Sequence, residues 1–140
     1  MESCNLHGPP AMSERQFQHI KATTEQGCLV LTLLHAHLRG DPLAEEIRKE
    51  FLAAQNCPEG SKVVIDFRFV ESFTTALFRP LLSLLRKLHE ANGRMVLCNL
   101  RPFVAEVFHA TRMTTTSGAV HAPFIEAADL SAAVAVLIQP

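Results

Sequence analysis

The sequence predicts an α/β domain with a largely parallel, mixed sheet of four to five strands and about four helices. Two observations carry this. Short apolar runs alternate with amphipathic stretches at helical spacing, and the first two apolar runs lie close enough to pair as an antiparallel hairpin. The chain has 140 residues and 48% apolar composition, enough for one domain that buries roughly two thirds of its unfolded surface.

Residues 1 to 14 are rich in Gly, Pro and Ser and read as a flexible arm, which leaves 15 to 140 as the domain. Phe17 to Ala22 predicts a short strand. Cys28 to Leu38 (CLVLTLLHAHL) predicts a longer one, apolar on both faces as a central strand should be. The next segment is GDPLAEEIRKEFLAAQN. Here Asp41 is placed to cap a helix, with Pro42 at the first helical position and Leu43, Ile47, Phe51 and Ala54 on one face. NCPEGS is a loop, and Lys62 to Phe67 (KVVIDF) is a buried strand.

Leu77, Leu81, Leu84, Leu85 and Leu88 form the next helical stripe, closed by Asn92-Gly93 as the left-handed residue after a helix. Arg94 to Cys98 is a strand. Val104, Val107, Phe108 and Thr111 mark a third helix, with Pro102 near its start. TTTSG reads as a loop and GAVHAPF as the place of a short edge strand. Asp129 caps a last helix whose face is Leu130, Ala133, Val134 and Leu137.

Several function classes lose support. The formal charge is -1 with no basic stripe, which argues against nucleic acid. No segment reaches the ~18 apolar residues of a membrane span, and the first residues lack a signal pattern, so a cytoplasmic protein without membrane insertion is expected. The four cysteines form no C-x-x-C pair and read as reduced thiols. No P-loop, G-x-G-x-x-G, H-E-x-x-H or G-x-S-x-G is present. His35 and His37 would share a face of one strand, but no third ligand lies nearby in sequence. Asp66 ends a strand where open α/β sheets place ligands, or where the following loop donates to it. The expectation is a protein without catalytic residues, cofactor or metal.

Thr74 and Thr75 stand where a strand hands over to a helix. A threonine there can cap the helix or carry a phosphate near its positive end. Pro80 argues that the regular helix starts nearer Leu77 or Phe78, because a cap at Thr75 would put Pro80 where its N–H is needed.

From VVIDF through Val70-Glu71, the helix Leu81 to Leu88, and ANGRMVLCNLRPFVAEVF to AADLSAAVAVL, the chain resembles the STAS domain of the anti-sigma factor antagonists. The likeness spans about Phe17 to Leu137. It implies a regulatory module that binds a serine/threonine kinase-like anti-sigma factor. In the family the kinase phosphorylates the first Ser of a D-S-S-G motif. By position Thr75 takes the place of that Ser, Thr74 of the Asp, Ala76 of the second Ser and Leu77 of the Gly. The resemblance thus implies Thr75 as phosphate acceptor, and Thr74, Ala76, Leu77 and Phe78 as partner contacts, with Phe73 as a further apolar anchor. Asp41 lies near an acidic position of the family at the start of the first helix. The alternative is a STAS accessory or scaffold subunit that is not phosphorylated, as in a lipid-transport ATPase or a stress-signalling complex. The oligomeric state stays open, a dimer included.

Overall fold

The computed structural model describes residues 15–115 and 123–139. The expected arm at 1–14 and most of TTTSG and GAVHAPF lie outside the described residues. The elements are β1 (Arg15–Gln16), β2 (Ile20–Glu25), β3 (Cys28–Leu33), β4 (His37–Leu38), α1 (Asp41–Gln55), β5 (Lys62–Asp66) and β6 (Ser72–Phe73). A single 3-10 turn (Thr75–Leu77) follows, then α2 (Phe78–Glu90), β7 (Arg94–Cys98), α3 (Pro102–Ala110), β8 (Thr114–Thr115), β9 (Phe124–Ala127) and α4 (Leu130–Ile138).

Among the described residues the main sheet runs β1-β2-β3-β5-β7-β9-β8. β1, β2 and β3 pair antiparallel and the rest pair parallel, so the sheet is mixed as expected. Its body is the five strands of four residues or more; two-residue ladders at both edges, one of them inside the expected TTTSG loop, bring it to seven. The β2–β3 hairpin closes through Gln26 (φ 51) and Gly27 (φ 82), the two left-handed residues of a tight hairpin turn.

The central strands are apolar through their middles, on both faces, because helices cover both sides of the sheet. Leu31, Val63, Ile65 and Leu97 enter the large core beneath α1, α2 and α3. Val30, Val64, Val96 and Cys98 face the other way, onto Ala133, Val134 and Leu137 of α4. This two-sided burial is the physical reason a parallel sheet lacks an alternating pattern.

Three local expectations need correction. The strand expected from Phe17 begins at Ile20 and continues to Glu25, because Phe17 turns back to donate to Ile20 (2.8 Å) and Thr23 and Thr24 extend the pairing. The run Cys28 to Leu38 is two strands, not one. β3 ends at Leu33, and β4 leaves the sheet to pair in parallel with β6. The Ala36 carbonyl accepts from the Glu71 and Ser72 N–H groups at 2.7 and 3.1 Å, which fixes that break. Finally, Asp41 is not the cap of α1. Gly40 holds that position at φ 93, a left-handed backbone that suits glycine, and Asp41 is the first helical residue.

The start of α2 is as Pro80 requires. The 3-10 turn absorbs the first residues, α2 begins at Phe78, and Pro80 falls in its first turn, where an N–H has no helical partner anyway.

Candidate functional site

The surface around Thr75 is built from three chain segments at one end of the fold. The β4–β6 ladder brings them together, and the Thr74 N–H donates to the Leu38 carbonyl at 3.0 Å. Thr74 is extended (φ -104, ψ 165), its carbonyl accepts from the Leu77 N–H at 3.0 Å, and its hydroxyl makes no capping bond. Thr74 and Thr75 are both exposed. Neither threonine is therefore a side-chain cap, and the Thr75 hydroxyl has no hydrogen-bond partner among the described residues.

The residues that follow turn inward. Ala76 is half-buried and Leu77 is only 3% exposed, so Leu77 belongs to the core and offers little side chain to a partner. Phe78 is half-buried, with its ring 5.7 Å from Phe73 and 5.3 Å from Phe108. Phe73 stacks on Phe108 at 5.0 Å. The turn thus exposes its two hydroxyls while aromatic side chains hold it from beneath.

The structure brings Asp41 to this surface. Its carboxylate lies 3.4 Å from the Arg79 guanidinium, both side chains being exposed, so the start of α1 meets the first turn of α2. Arg79 also adds to the field that holds the Glu45 carboxyl below its usual range, an effect led by the hydrogen bond from Arg48. Arg79 is therefore a cation placed between two acidic groups of α1, one turn beyond Thr75.

Asp66 is fully buried and serves the fold. One oxygen accepts from the Arg68 N–H (3.0 Å) and Asn99 Nδ2 (2.9 Å); the other accepts from Arg68 Nε at 2.9 Å. The loop-donor reading of this carboxylate holds. Beside it, burial first and then the Asp66 charge push the Cys98 thiol up to about 12.

His35 and His37 do not share a strand face. His37 Nδ1 meets the Ser72 hydroxyl at 2.8 Å across the small ladder. His35 Nε2 lies 2.7 Å from His19 Nδ1, and His19 Nε2 lies 2.6 Å from Glu46. With Nε2–H on both rings, His35 donates to His19 and His19 to Glu46, which satisfies both contacts. Glu50 accepts from the backbone of Gln18 and His19. This cluster ties α1 to the β1–β2 segment, and sequence spacing held no signal for it, because its members come from three separate segments. Among the described residues no group of three or more His, Cys, Asp or Glu is arranged to hold a metal, and no helix is long and apolar enough to cross a membrane.

Comparison with known proteins gives a consistent result. The STAS domain profile matches residues 41–121, more than half of the chain. BtrV of Bordetella bronchiseptica, named as an anti-sigma factor antagonist, is 37% identical over 65 residues, which cover 46% of this chain and 55% of BtrV. The chain thus spans about half the length of that relative. Among solved structures, an anti-sigma factor antagonist (STAS) domain protein from Planctomyces limnophilus superposes with a TM-score of 0.69 at 23% identity, covering 84% of this chain and 96% of that one. The Bacillus cell fate determinant SpoIIAA in its phosphorylated form gives 0.53 at 17% identity, over 89% and 98% of the two chains. These likenesses establish the fold, and with the matched profile they settle the family: the chain belongs to the STAS domain family.

Proposed function

We propose that this protein is an anti-sigma factor antagonist, a non-enzymatic cytoplasmic module that binds a serine/threonine kinase-like anti-sigma factor and is switched by phosphorylation of Thr75. The observation that carries this reading is an exposed Thr75 hydroxyl without a hydrogen-bond partner among the described residues, at the family's acceptor position ahead of α2. The name carried by BtrV and the phosphorylated form of SpoIIAA support it.

The chemistry of the switch follows from charge. Phosphorylation adds about -1.5 to -2 charges and three strong acceptors. In the free protein such a group gains from the positive end of α2 and competes with Asp41 for Arg79. In a complex it must be desolvated inside the contact, which is costly without a matched cation on the partner. The contact surface is Thr74, Thr75, Ala76, the exposed edge of Phe78 and Asp41.

One observation favours the second reading, a STAS accessory or scaffold subunit that is never phosphorylated. Thr74 stands where the family carries an Asp, so a carboxylate adjoining the acceptor is missing from the motif.

The test is binding of the purified kinase-like partner by titration calorimetry. Thr75→Asp is expected to weaken it at least about tenfold, the scale of one removed hot spot, with an unchanged circular dichroism spectrum. Equal affinity of the two forms would remove the switch. Mass spectrometry of protein from its own host decides between the readings: phosphate on Thr75 supports the first, and its absence under every growth condition the second.

A further inference from the structure

Two arginines flank Thr75 from different elements. Arg39 follows β4. That strand pairs in parallel with β6 at His37↔Ser72 and Leu38↔Phe73. The Thr74 N–H then donates to the Leu38 carbonyl at 3.0 Å, so the pairing runs one step further and sets Arg39 beside Thr74. The His37–Ser72 contact at 2.8 Å marks the outer face of this ladder, while Leu38 and Phe73 turn into the core. Arg39 is exposed and shares the outer face with His37, because alternate residues of a strand point the same way. Neighbouring strands lie about 4.8 Å apart, which brings the long Arg39 side chain within reach of Thr75. Arg79 comes from the other side. The 3-10 turn at Thr75–Leu77 runs directly into α2, so Arg79 follows Thr75 by one turn, and helical side chains lean toward the N-terminus. Its contact with Asp41 places the guanidinium at the start of α1, next to Gly40 and Arg39.

The charges around Thr75 do not cancel. The Arg39 guanidinium has no ion pair among the described residues. Arg79 has Asp41, through one long contact of 3.4 Å with both side chains more than half exposed. Such a pair is worth little and exchanges readily. Glu45 is matched by Arg48, which donates to it through two nitrogens at 2.7 and 3.1 Å. Glu71 lies beyond the far end of β6, three residues before Thr74. Two guanidiniums against one carboxylate leave a net positive charge beside the hydroxyl. Thr74, where the family carries an Asp, adds nothing to offset it.

We propose that Arg39 and Arg79 form a clamp for a phosphate on Thr75, and that the phosphate displaces Asp41 from Arg79. The guanidinium fork matches phosphate oxygens, and a dianion outcompetes one exposed carboxylate. This inference rests on the reading of Thr75 as acceptor and adds its regulation. Modification changes the partner surface at two points, because Asp41 loses its cation when Thr75 gains a phosphate.

The test uses the full chain with phosphothreonine built into position 75 during translation, which needs no kinase. Phosphorus NMR follows the second ionisation of the phosphate, which ordinarily lies near pH ~6. Between two guanidiniums it should fall at least about 0.5 pH unit below that of a phosphothreonine peptide covering residues 72–78, roughly a threefold change in the ionisation constant. Arg39→Gln and Arg79→Gln, both at exposed positions, should each restore about half of the difference. Asp41→Asn should lower the value further, because it frees Arg79. Arg86→Gln, an exposed cation further along α2, should leave it unchanged. A phosphate that titrates as in the peptide, or a difference that survives either Arg39→Gln or Arg79→Gln, would overturn the clamp. Equal responses to all three arginine changes would also overturn it, since they would mark a general field. Failure of the kinase reading is separately visible: the purified partner would then bind parent and Thr75→Asp alike, however the phosphate titrates.

Discussion

Asp66 shows how one buried carboxylate sets the geometry of a sheet edge. It holds two loops through three hydrogen bonds and is shielded completely from solvent. Asp66→Asn keeps the shape but sets an amide donor against Arg68 or Asn99. Because the Arg68 side chain is half exposed and can hydrate, the loss should fall near about 2 kcal/mol, below the range for a fully buried broken pair. Urea unfolding measures it, and a loss under about 0.5 kcal/mol would mean that the loops hold themselves. Cys98 gives a pH signature. Its thiol rises from 9.0 to about 12 in the folded state. The unfolded chain therefore releases that proton first as pH rises, so stability is intact below pH 9 and falls between 9 and about 12. Urea midpoints at pH 8 and pH 10.5 should diverge less in Cys98→Ala than in the parent. An equal divergence would show that other groups carry the alkaline loss.

At the scale of elements, α4 is the clearest case of a helix specified by its own sequence. Asp129 accepts from the Ala132 N–H, and Ala133, Val134 and Leu137 bury one face. Asp129→Ala should cost about 1 kcal/mol, the usual worth of an N-cap, read by thermal unfolding. A cost near zero would mean that packing on β5 and β7 alone holds the helix. This cap was legible because a cap and its helix are adjacent in sequence. The strands β5 and β7, the starts of α2 and α4, and the β2–β3 hairpin were legible for the same reason. Gly40 was not, since its role depends on the turn out of β4 rather than on the helix after it. Nor was the break in Cys28 to Leu38, where apolar content continues through Leu34 and Leu38 while the hydrogen-bond partner changes from β5 to β6. The proposal of Thr75 as acceptor came only from the family resemblance. Local pattern left cap and phosphate site open, and the absence of a capping bond needed the three-dimensional structure. The His19–His35–Glu46 cluster is tertiary throughout.

Over the whole molecule, the proposed switch surface and the core meet in one phenylalanine cluster. Phe108 of α3 contacts Phe67 after β5, Phe73 of β6, Phe78 of α2 and Phe124 of β9, with ring centroids 5.0 to 6.2 Å apart. The stretch from β5 to α2 and the strand β9 thus share a single fully buried side chain of α3. The two threonines stand outside this cluster, so charge can be added at Thr75 without touching what holds the turn in place. Two effects should therefore separate. Thr75→Asp should change stability by no more than about 0.5 kcal/mol, as for an exposed substitution. Phe108→Ala should cost about 3–5 kcal/mol through lost burial and the cavity left behind. Hydrogen exchange sharpens the contrast. In Phe108→Ala the amides of residues 72–78 should lose protection by more than the global destabilisation explains, because Phe73 and Phe78 lose their common support. In Thr75→Asp the same amides should keep their protection. If Phe108→Ala left residues 72–78 exchanging only in step with the rest of the chain, the turn would be held by the β4–β6 ladder instead, and the cluster would be core packing without a role in presenting Thr75.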